Sequence, residues 1–235
     1  MNGLPAPALP AEDDDMTTQP TLLDTLDPDL TARLTSRRGL FSRAAGSLGA
    51  LATAPTVLAV ASTEAFAQGL PGQVVDVLRF ALTLEYLEAE FYQTALASRG
   101  LIPGRYRPVF QQIAKHEVAH VRLLQGALGA AAIPKPAFDF TARGKYPDVF
   151  ESFDTFTTLS STFEDLGVAA YKGQAGNLQG TPVLTTALQI HSVEARHAAE
   201  VRRVRGIIGW DGAFDAPQTK AQVLAAAMPF IAGGV

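Results

Sequence analysis

The sequence predicts an all-α protein, a four-helix bundle with a short additional helix at the C-terminus. Four long segments carry apolar residues at alternating steps of three and four, and Gly and Pro residues interrupt the chain between them. No segment has the alternating pattern of a β-strand. The connection between the second and third segments, residues 129–149, is long and irregular. Because it can cross a bundle about 30 Å in length, we expect an up-down-down-up topology with one long crossover.

The first 67 residues are expected to lie outside this bundle. Residues 1–35 are rich in Pro, Asp and Thr and are predicted to form a disordered leader. Residues 36–67 have the layout of an export signal, with Arg37-Arg38, an apolar stretch and a cleavage site at Ala65-Phe66-Ala67. The paired arginines predict the twin-arginine route, and hence a periplasmic, cell-envelope or extracellular protein. A retained N-terminal anchor is the alternative, although a spanning helix needs roughly 20 strongly apolar residues.

Residues 68–235 are predicted to fold as one domain. Residues 1–67 hold 4 of the 19 basic and 8 of the 23 acidic residues, so the remainder carries 15 of each and no formal net charge. This balance disfavours a nucleic-acid partner, and we expect no stable membrane span after processing. Cysteine is absent, which excludes disulfides, thiolate metal ligands and cysteine nucleophiles.

The helix boundaries follow from the apolar spacing and from capping residues. The predicted helices run from Gln73 to Ser98, from Pro108 to Leu128, from Ser152 to Ala175, from the Thr181-Pro182 cap to Ile208, and over 217–230. Proline at the start of the second and fourth helices suits a first turn, whose N–H groups have no partner within the helix. Glycine and proline after the first helix, and three glycines after the third, mark their ends.

Charged and polar residues interrupt the apolar seams of the second and fourth helices at matching depth. Glu117 and His120 occupy seam positions in the second helix, and Glu194 and His197 occupy them in the fourth. Burying an unpaired carboxylate or imidazole is costly, and a bound cation would offset that cost. The i,i+3 spacing places both side chains of each pair on one helix face, so each Glu-x-x-His predicts two metal ligands.

An internal repeat adds two further carboxylates. Glu85 precedes Tyr92 by seven residues on the first helix, and Glu164 precedes Tyr171 by seven on the third. Each of these glutamates is followed, after 32 or 30 residues, by the glutamate of a Glu-x-x-His. Packed with pseudo-twofold symmetry, the two halves give four carboxylates and two imidazoles around the bundle axis, the ligand set of di-iron and di-manganese carboxylate bundles. Four carboxylates balance two divalent cations, and this ligation suits Fe or Mn.

Residues 82–92, LTLEYLEAEFY, are similar to the opening of the ferritin-like family that includes desiccation-related proteins, and residues 70–208 resemble the ferritin-like superfamily. The resemblance implies metal ligands at Glu85, Glu117, His120, Glu164, Glu194 and His197. It also implies that the glutamates of the two Glu-x-x-His pairs bridge the metals. Many desiccation-related members have no established activity, so the resemblance implies the fold and a metal site rather than a reaction.

Two neighbouring carboxylates compete for these roles. Glu88 lies one turn from Glu85 and could replace it, but the repeated spacing to tyrosine favours Glu85. Asp165 competes with Glu164 on weaker grounds.

The two tyrosines of the repeat and the two remaining histidines are not expected to bind metal. Tyr92 and Tyr171 are expected to pack in the core with a hydroxyl partner, and hydrogen bonds to ligands are the alternative. His116 and His191 are expected to lie beside the ligands or at the surface rather than to bind metal.

The same segment also matches the motif of a different metal site. Residues 116–120, His-Glu-Val-Ala-His, have the His-Glu-x-x-His pattern of zinc hydrolases. There both histidines would bind zinc and Glu117 would activate water. The extended form of the motif requires Gly and His where this chain has Leu123 and Gly126. It also leaves the second Glu-x-x-His unexplained. An all-α protein with a polar core and no metal is the remaining alternative.

The expected protein is therefore exported, ferritin-like, and binds two Fe or two Mn ions. Such a centre predicts metal oxidation or protection from oxidative and desiccation stress, with O2 or peroxide as the reactant. A non-catalytic structural or binding role in stress is the alternative function, and a zinc hydrolase is a minor one. The sequence is compatible with a homo-oligomer.

Overall fold

The structure, a computed structural model, describes residues 69–210 and 212–232, and the predicted leader and export signal lie outside these residues. Five α-helices are present in the described chain: α1 (Gly72–Ala97), α2 (Arg107–Leu128), α3 (Phe153–Gln174), α4 (Val183–Val204) and α5 (Lys220–Ala227). The first four form the bundle. The prediction of an all-α bundle with a short C-terminal helix is confirmed.

Helix α1 is buried along most of its length. It has no interior Gly or Pro, and Leu82, Phe91 and Tyr92 are all fully buried. It ends next to Gly100, whose φ of 80° lets the chain turn away at a position that other residues rarely adopt. The predicted bounds of this helix agree with the structure to within one residue.

Side-chain contacts define the directions of the helices. Tyr92 of α1 donates to Glu164 of α3, and Tyr171 of α3 donates to Glu85 of α1. Since the later residue of each helix meets the earlier residue of the other, α1 and α3 are antiparallel. Helices α1 and α2 are also antiparallel, because Arg107 at the start of α2 donates to the Leu96 carbonyl near the end of α1. Helix α4 is antiparallel to α3, because Arg205 at the end of α4 donates to Thr158 near the start of α3. The order is therefore up-down-down-up.

The crossover between α2 and α3 is built into the core. Phe140 and Val149 are buried, and the crossover includes a two-residue strand, β1 (Ala137–Phe138). This strand pairs antiparallel with β2 (Ile231–Ala232) near the C-terminus. No strand was predicted, because a two-residue pairing between segments almost a hundred residues apart leaves no local pattern in the sequence.

The fourth helix ends earlier than predicted, at Val204 rather than Ile208. Gly206 has φ 75°, its N–H donates to the Arg203 carbonyl, and the next N–H donates to the Arg202 carbonyl. This is the glycine-based helix stop in which a left-handed residue lets the chain double back. Ile208 is consequently 67% exposed instead of extending the seam.

The terminal helix is shorter than the predicted 217–230. Thr219 caps it, and its hydroxyl accepts from the Gln222 N–H while the Gln222 side chain accepts from the Thr219 N–H. The α-helix stops at Ala227, and a 3₁₀ turn over Met228–Phe230 follows. Pro229 has no N–H to donate, which disfavours further α-helix.

Two apolar clusters occupy opposite ends of the bundle and leave a polar layer between them. One is aromatic and includes Phe91, Phe110 and Phe156. The other is aliphatic and includes Leu82 and Ile190. Within residues 69–210 and 212–232, no helix is both long and apolar enough to cross a bilayer.

Candidate metal centre

The polar layer brings together all six residues that the sequence singled out as ligands. Each of the four bundle helices contributes: Glu85 from α1, Glu117 and His120 from α2, Glu164 from α3, and Glu194 and His197 from α4. The four glutamates are 0% exposed, and the two histidines are 9% and 5% exposed. Four carboxylates buried to this degree in one protein core require compensation by positive charge.

One half of the cluster is arranged around His120. Its Nδ1 atom lies 3.2 Å from Glu85 Oε2, 3.2 Å from Glu117 Oε2 and 3.1 Å from Glu194 Oε1. These carboxylates come from three different helices, so the imidazole nitrogen faces a point on which α1, α2 and α4 converge.

The other half is arranged around His197. Its Nδ1 atom lies 2.8 Å from Glu117 Oε1 and 3.3 Å from Glu164 Oε2. Here α2, α3 and α4 converge, which is the pseudo-twofold counterpart of the first half.

The two halves share their central carboxylates. One set of potential ligands is Glu85, Glu117, His120 and Glu194, and the other is Glu117, Glu164, Glu194 and His197. Within each set, one ligand atom per residue lies within 4.8 Å of all the others. Glu117 and Glu194 belong to both sets. A carboxylate has two oxygens, so each of these two side chains can face two cations at once.

Several atoms at the centre of the cluster are close together without being hydrogen-bonded. Among the described residues, buried atoms with no hydrogen-bond partner include Glu117 Oε1, Glu164 Oε2, both carboxylate oxygens of Glu194, and His197 Nδ1. His197 Nδ1 and Glu117 Oε1 are 2.8 Å apart, so distance is not what prevents the bond. Oxygen and nitrogen atoms that lie this close together without hydrogen bonds between them suit a cation among them. This donor set of hard oxygens and imidazole nitrogens fits Fe or Mn.

Two tyrosines donate hydrogen bonds to the outer glutamates, Glu85 and Glu164, which each belong to only one set of potential ligands. The Tyr92 hydroxyl lies 2.5 Å from Glu164 Oε1, and the Tyr171 hydroxyl lies 2.5 Å from Glu85 Oε1. Burial and the adjacent carboxylate charge raise the pKa of each phenol well above its usual value, so each remains a donor. Each glutamate thereby keeps one oxygen facing the cluster. The alternative prediction, that the tyrosines hydrogen-bond the ligand residues, describes the geometry.

His116 lies beside the cluster, at the distance of a hydrogen bond from one of its members. Its Nδ1 atom is 2.8 Å from His197 Nε2, and the two rings stack with centroids 5.1 Å apart. Its Nε2 atom is 2.9 Å from the Gln112 side chain. His191 belongs to neither set of potential ligands, and burial lowers the pKa of its imidazole.

The zinc-hydrolase arrangement does not match this geometry. A His-Glu-x-x-His zinc site needs His116 and His120 to face the same ion. Instead, His116 belongs to neither potential ligand set, whereas His120 and His197 each share one with Glu117.

The competing carboxylates differ in their position. Asp165 is 41% exposed and forms an ion pair with Arg202, at 2.6 Å, away from the cluster. Glu88 is only 3% exposed and lies beside the cluster, although it belongs to neither set. Burial, followed by the charges of Glu194 and Glu117, raises the pKa of the Glu88 carboxyl well above its usual value.

Burial and the neighbouring charges shift the pKa values of the cluster glutamates. Burial raises the pKa of Glu85 to about 7, despite the opposing charge of His120. Burial also raises the pKa of Glu164 and of Glu194. For Glu117, burial acts in the same direction, but the charges of His197 and His120 outweigh it and lower the pKa.

The carboxylates of the cluster raise the pKa of its two histidines. Burial lowers the pKa of an imidazole, but the neighbouring carboxylate charges outweigh this effect and raise the pKa of both His120 and His197. Without a cation, protons therefore supply the positive charge that the buried carboxylates require.

Comparison with known proteins finds a matching protein family. Residues 73–206, which are more than half of the chain and include all four bundle helices apart from Gly72, match the ferritin-like domain. No curated protein matches the sequence significantly. The buried Glu and His cluster is compatible with a metal site, and the chain belongs to the ferritin-like domain family.

Proposed function

We propose that this protein binds two divalent Fe or Mn ions in the buried cluster and uses them in redox chemistry with O2 or peroxide. The observation that carries the proposal is the pair of four-residue sets that share Glu117 and Glu194. In this arrangement, Glu85 and His120 serve one ion, and Glu164 and His197 serve the other. Two such ions would supply redox chemistry: each would give one electron to O2 or peroxide and pass from the divalent to the trivalent state, and an external reductant, or peroxide itself, would restore them.

The residues around the ions would fix protons and ligand positions. If His197 held an ion through Nδ1, its Nε2 would carry the hydrogen and donate it to His116 Nδ1, 2.8 Å away. The hydrogen of His116 would then be on Nε2, and the Gln112 amide, 2.9 Å away, would turn its oxygen towards it as the acceptor. Such outer partners orient a metal-binding imidazole and increase its basicity. Tyr92 and Tyr171 hold the outer carboxylates in the same way, each leaving one oxygen for an ion.

The charges balance in the proposed state. Four glutamates carry four negative charges, two divalent ions carry four positive charges, and the histidines are neutral when they bind metal. The core around the cluster is otherwise apolar, with an aromatic cluster at one end and an aliphatic cluster at the other. A neutral centre of this kind is the arrangement that such surroundings favour.

We further propose that the protein acts outside the cytoplasm, in protection from oxidative or desiccation stress. The twin-arginine signal that the sequence predicts over residues 36–67 supports this part of the proposal. Removal of peroxide or of Fe(II) would limit oxidative damage there.

The proposal is tested by loading purified protein anaerobically with Fe(II) or Mn(II) and measuring bound metal by elemental analysis. We expect two ions per chain in wild type, and loss of both in the double variant His120→Ala, His197→Ala. His191→Ala is the matched control and should keep both ions, because His191 belongs to neither set. A wild-type protein that binds no Fe or Mn contradicts the proposal.

Activity is tested on the loaded forms. The Fe(II) form should consume O2 during Fe(II) oxidation, and the Mn(II) form should release O2 from peroxide; whichever rate the double histidine variant abolishes identifies the reaction. If the loaded wild type has neither activity, the redox part of the proposal is wrong and a binding role remains.

A further inference from the structure

A fifth glutamate lies beside the four that form the cluster. Glu88 is one helical turn beyond Glu85 on α1 and is 3% exposed. Its carboxyl interacts electrostatically with all four cluster glutamates, most strongly with Glu194. A fifth carboxyl buried among four others is costly, so its position requires an explanation.

The internal repeat shows that Glu88 has no counterpart. Glu85 corresponds to Glu164, so Glu88 corresponds to Gly167 on α3. Both positions lie between the two tyrosine–glutamate hydrogen bonds that join α1 to α3, and therefore in the same stretch of the helix contact. The six potential ligand residues, here called the ligand frame, are related by pseudo-twofold symmetry, and residues 88 and 167 do not follow that symmetry.

Gly167 leaves the space that the fifth carboxyl uses. A Cβ atom at residue 167 would lie 3.2 Å from Glu88 Oε1 and 3.0 Å from Glu194 Oε2. Both distances are tighter than ordinary van der Waals contact, so a side chain there would displace one or both carboxylates. Glu88 and Glu194 thus approach the same small volume at the edge of the cluster. Two carboxylate oxygens that border one small space suit an oxygen-binding ion better than apolar packing.

We propose that Glu88 is a fifth carboxylate ligand, which binds one of the two ions and makes the two metal positions inequivalent. Its negative charge leaves the centre neutral when one ion is trivalent and the other divalent, whereas the four cluster glutamates alone balance two divalent ions. This inference rests on the proposed function. Without Glu88, each ion has one histidine and three carboxylates, a set of four that is sufficient for zinc. Mn and Fe take more ligands than zinc, and a further hard oxygen favours them. Glu88 therefore directs one position towards Mn(II) or Fe(II) and away from Zn(II).

The test compares three variants with wild type by isothermal titration of the apo protein with Mn(II) and with Zn(II). Glu88→Gln removes the charge, and Glu88→Asp keeps the charge but withdraws it by one methylene. Glu90→Gln is the matched control, since Glu90 lies on the same helix and pairs with Lys135 at the surface. Circular dichroism establishes that each apo variant is folded; Glu88→Gln replaces a carboxyl whose raised pKa keeps it protonated in the apo protein with a neutral group of the same size, and should melt no lower than wild type.

We expect both Glu88 variants to bind one Mn(II) with wild-type affinity and the other at least 10-fold more weakly, with Zn(II) affinity unchanged. The optical spectrum of Co(II)-loaded protein should change in both, because the ligand number falls. Wild-type Mn(II) affinity and an unaltered Co(II) spectrum in both variants would overturn the inference. Weak binding by Glu88→Gln with wild-type binding by Glu88→Asp would also overturn it, since Glu88 would then act by charge alone.

The inference and the proposed function fail in different ways. A wild type that binds no Mn(II) or Fe(II) overturns both. A wild type that binds two ions, with unchanged affinities in the Glu88 variants, overturns only the role of Glu88.

Discussion

The two halves of the cluster, α1 with α2 and α3 with α4, have the same ligand frame and different surroundings. Each half supplies one outer glutamate, one Glu-x-x-His and one tyrosine that donates to the outer glutamate of the other half. They differ at Glu88, which corresponds to Gly167. They also differ at His116, the residue before Glu117, which corresponds to Val193 before Glu194.

The second difference affects the histidines unequally. His116 lies 2.8 Å from His197 Nε2, so the imidazole of one half is oriented by a polar side chain from the other. Val193, in the corresponding position, has no atom that could do the same for His120. The internal repeat therefore explains why the two halves have the same six potential ligands. The differences at Glu88 and His116 make the surroundings of the two proposed metal positions unequal.

The largest expected effect comes from the shared glutamates. Glu117→Ala or Glu194→Ala should abolish binding of both ions, because each residue belongs to both ligand sets. Glu85→Ala or Glu164→Ala should leave one ion bound. Native mass spectrometry of the reconstituted protein counts the ions. Equal losses in all four variants would show that the cluster is not divided into two positions.

Metal binding should reverse the pH dependence of stability. In the apo protein, the raised pKa values of Glu85, Glu164 and Glu194 mean that the folded state retains protons that the unfolded state releases. The stability from these groups is complete below the usual carboxyl pKa of about 4.3 and is lost as pH rises through the folded-state values, about 7 for Glu85. His120 and His197 act in the same direction at higher pH.

Glu117 acts in the opposite direction. Its lowered pKa contributes stability above the usual carboxyl pKa, which is lost as pH falls below it. We therefore expect apo melting temperatures to fall between pH 5 and pH 8. Metal ions displace the protons, so each bound ion should add about 2.7 kcal/mol at a free metal concentration 100 times its Kd. At a fixed metal concentration this gain should increase as pH rises, because fewer protons compete for the ligands. Thermal melts of both forms across this range test the prediction, and parallel curves would contradict it.

His116 should matter for one position only. Replacing it with Leu removes the outer partner of His197, and such losses weaken metal binding by about 10- to 100-fold. One of the two affinities should fall and the other should not. Val193→Leu is the matched control, because Val193 offers His120 no hydrogen bond to lose. If His116→Leu weakens both ions equally, the pairing with His197 does not act locally.

The smallest expected difference is between the tyrosines. Tyr92→Phe and Tyr171→Phe each remove a 2.5 Å hydrogen bond to a buried glutamate. A hydrogen bond to a charged group contributes roughly 1.5–3 kcal/mol. Since the two bonds are equivalent, urea unfolding of the loaded protein should give losses that agree to within about 0.5 kcal/mol. A clear difference would mean that the asymmetry of the centre extends to its outer carboxylates.

The ligand frame was predictable because polar residues in an apolar seam are conspicuous. Glu117, His120, Glu194 and His197 interrupt seams whose other members are buried, and the repeated spacing to tyrosine selects Glu85 and Glu164. The sequence thus predicted which six side chains would meet, although their role as metal ligands remains a prediction.

The surroundings were less predictable because they depend on contacts between helices. The sequence placed His116 near the centre but could not pair it with His197, because that contact depends on the register of α2 against α4. Glu88 was considered only as a substitute for Glu85. Its counterpart in the repeat, Gly167, was the available signal, and its meaning emerges only when the space around residue 167 is measured. The early end of α4 follows from Gly206, a signal present in the sequence but outweighed by the apolar Ile208.

The most direct test of the central claim is anomalous X-ray diffraction from crystals of metal-loaded protein, collected at the Fe or Mn absorption edge. The account predicts two peaks in each chain, one beside Glu85 and His120 and the other beside Glu164 and His197, with Glu117 and Glu194 touching both. A single peak bound by His116 and His120, or no peak in the cluster, would contradict it.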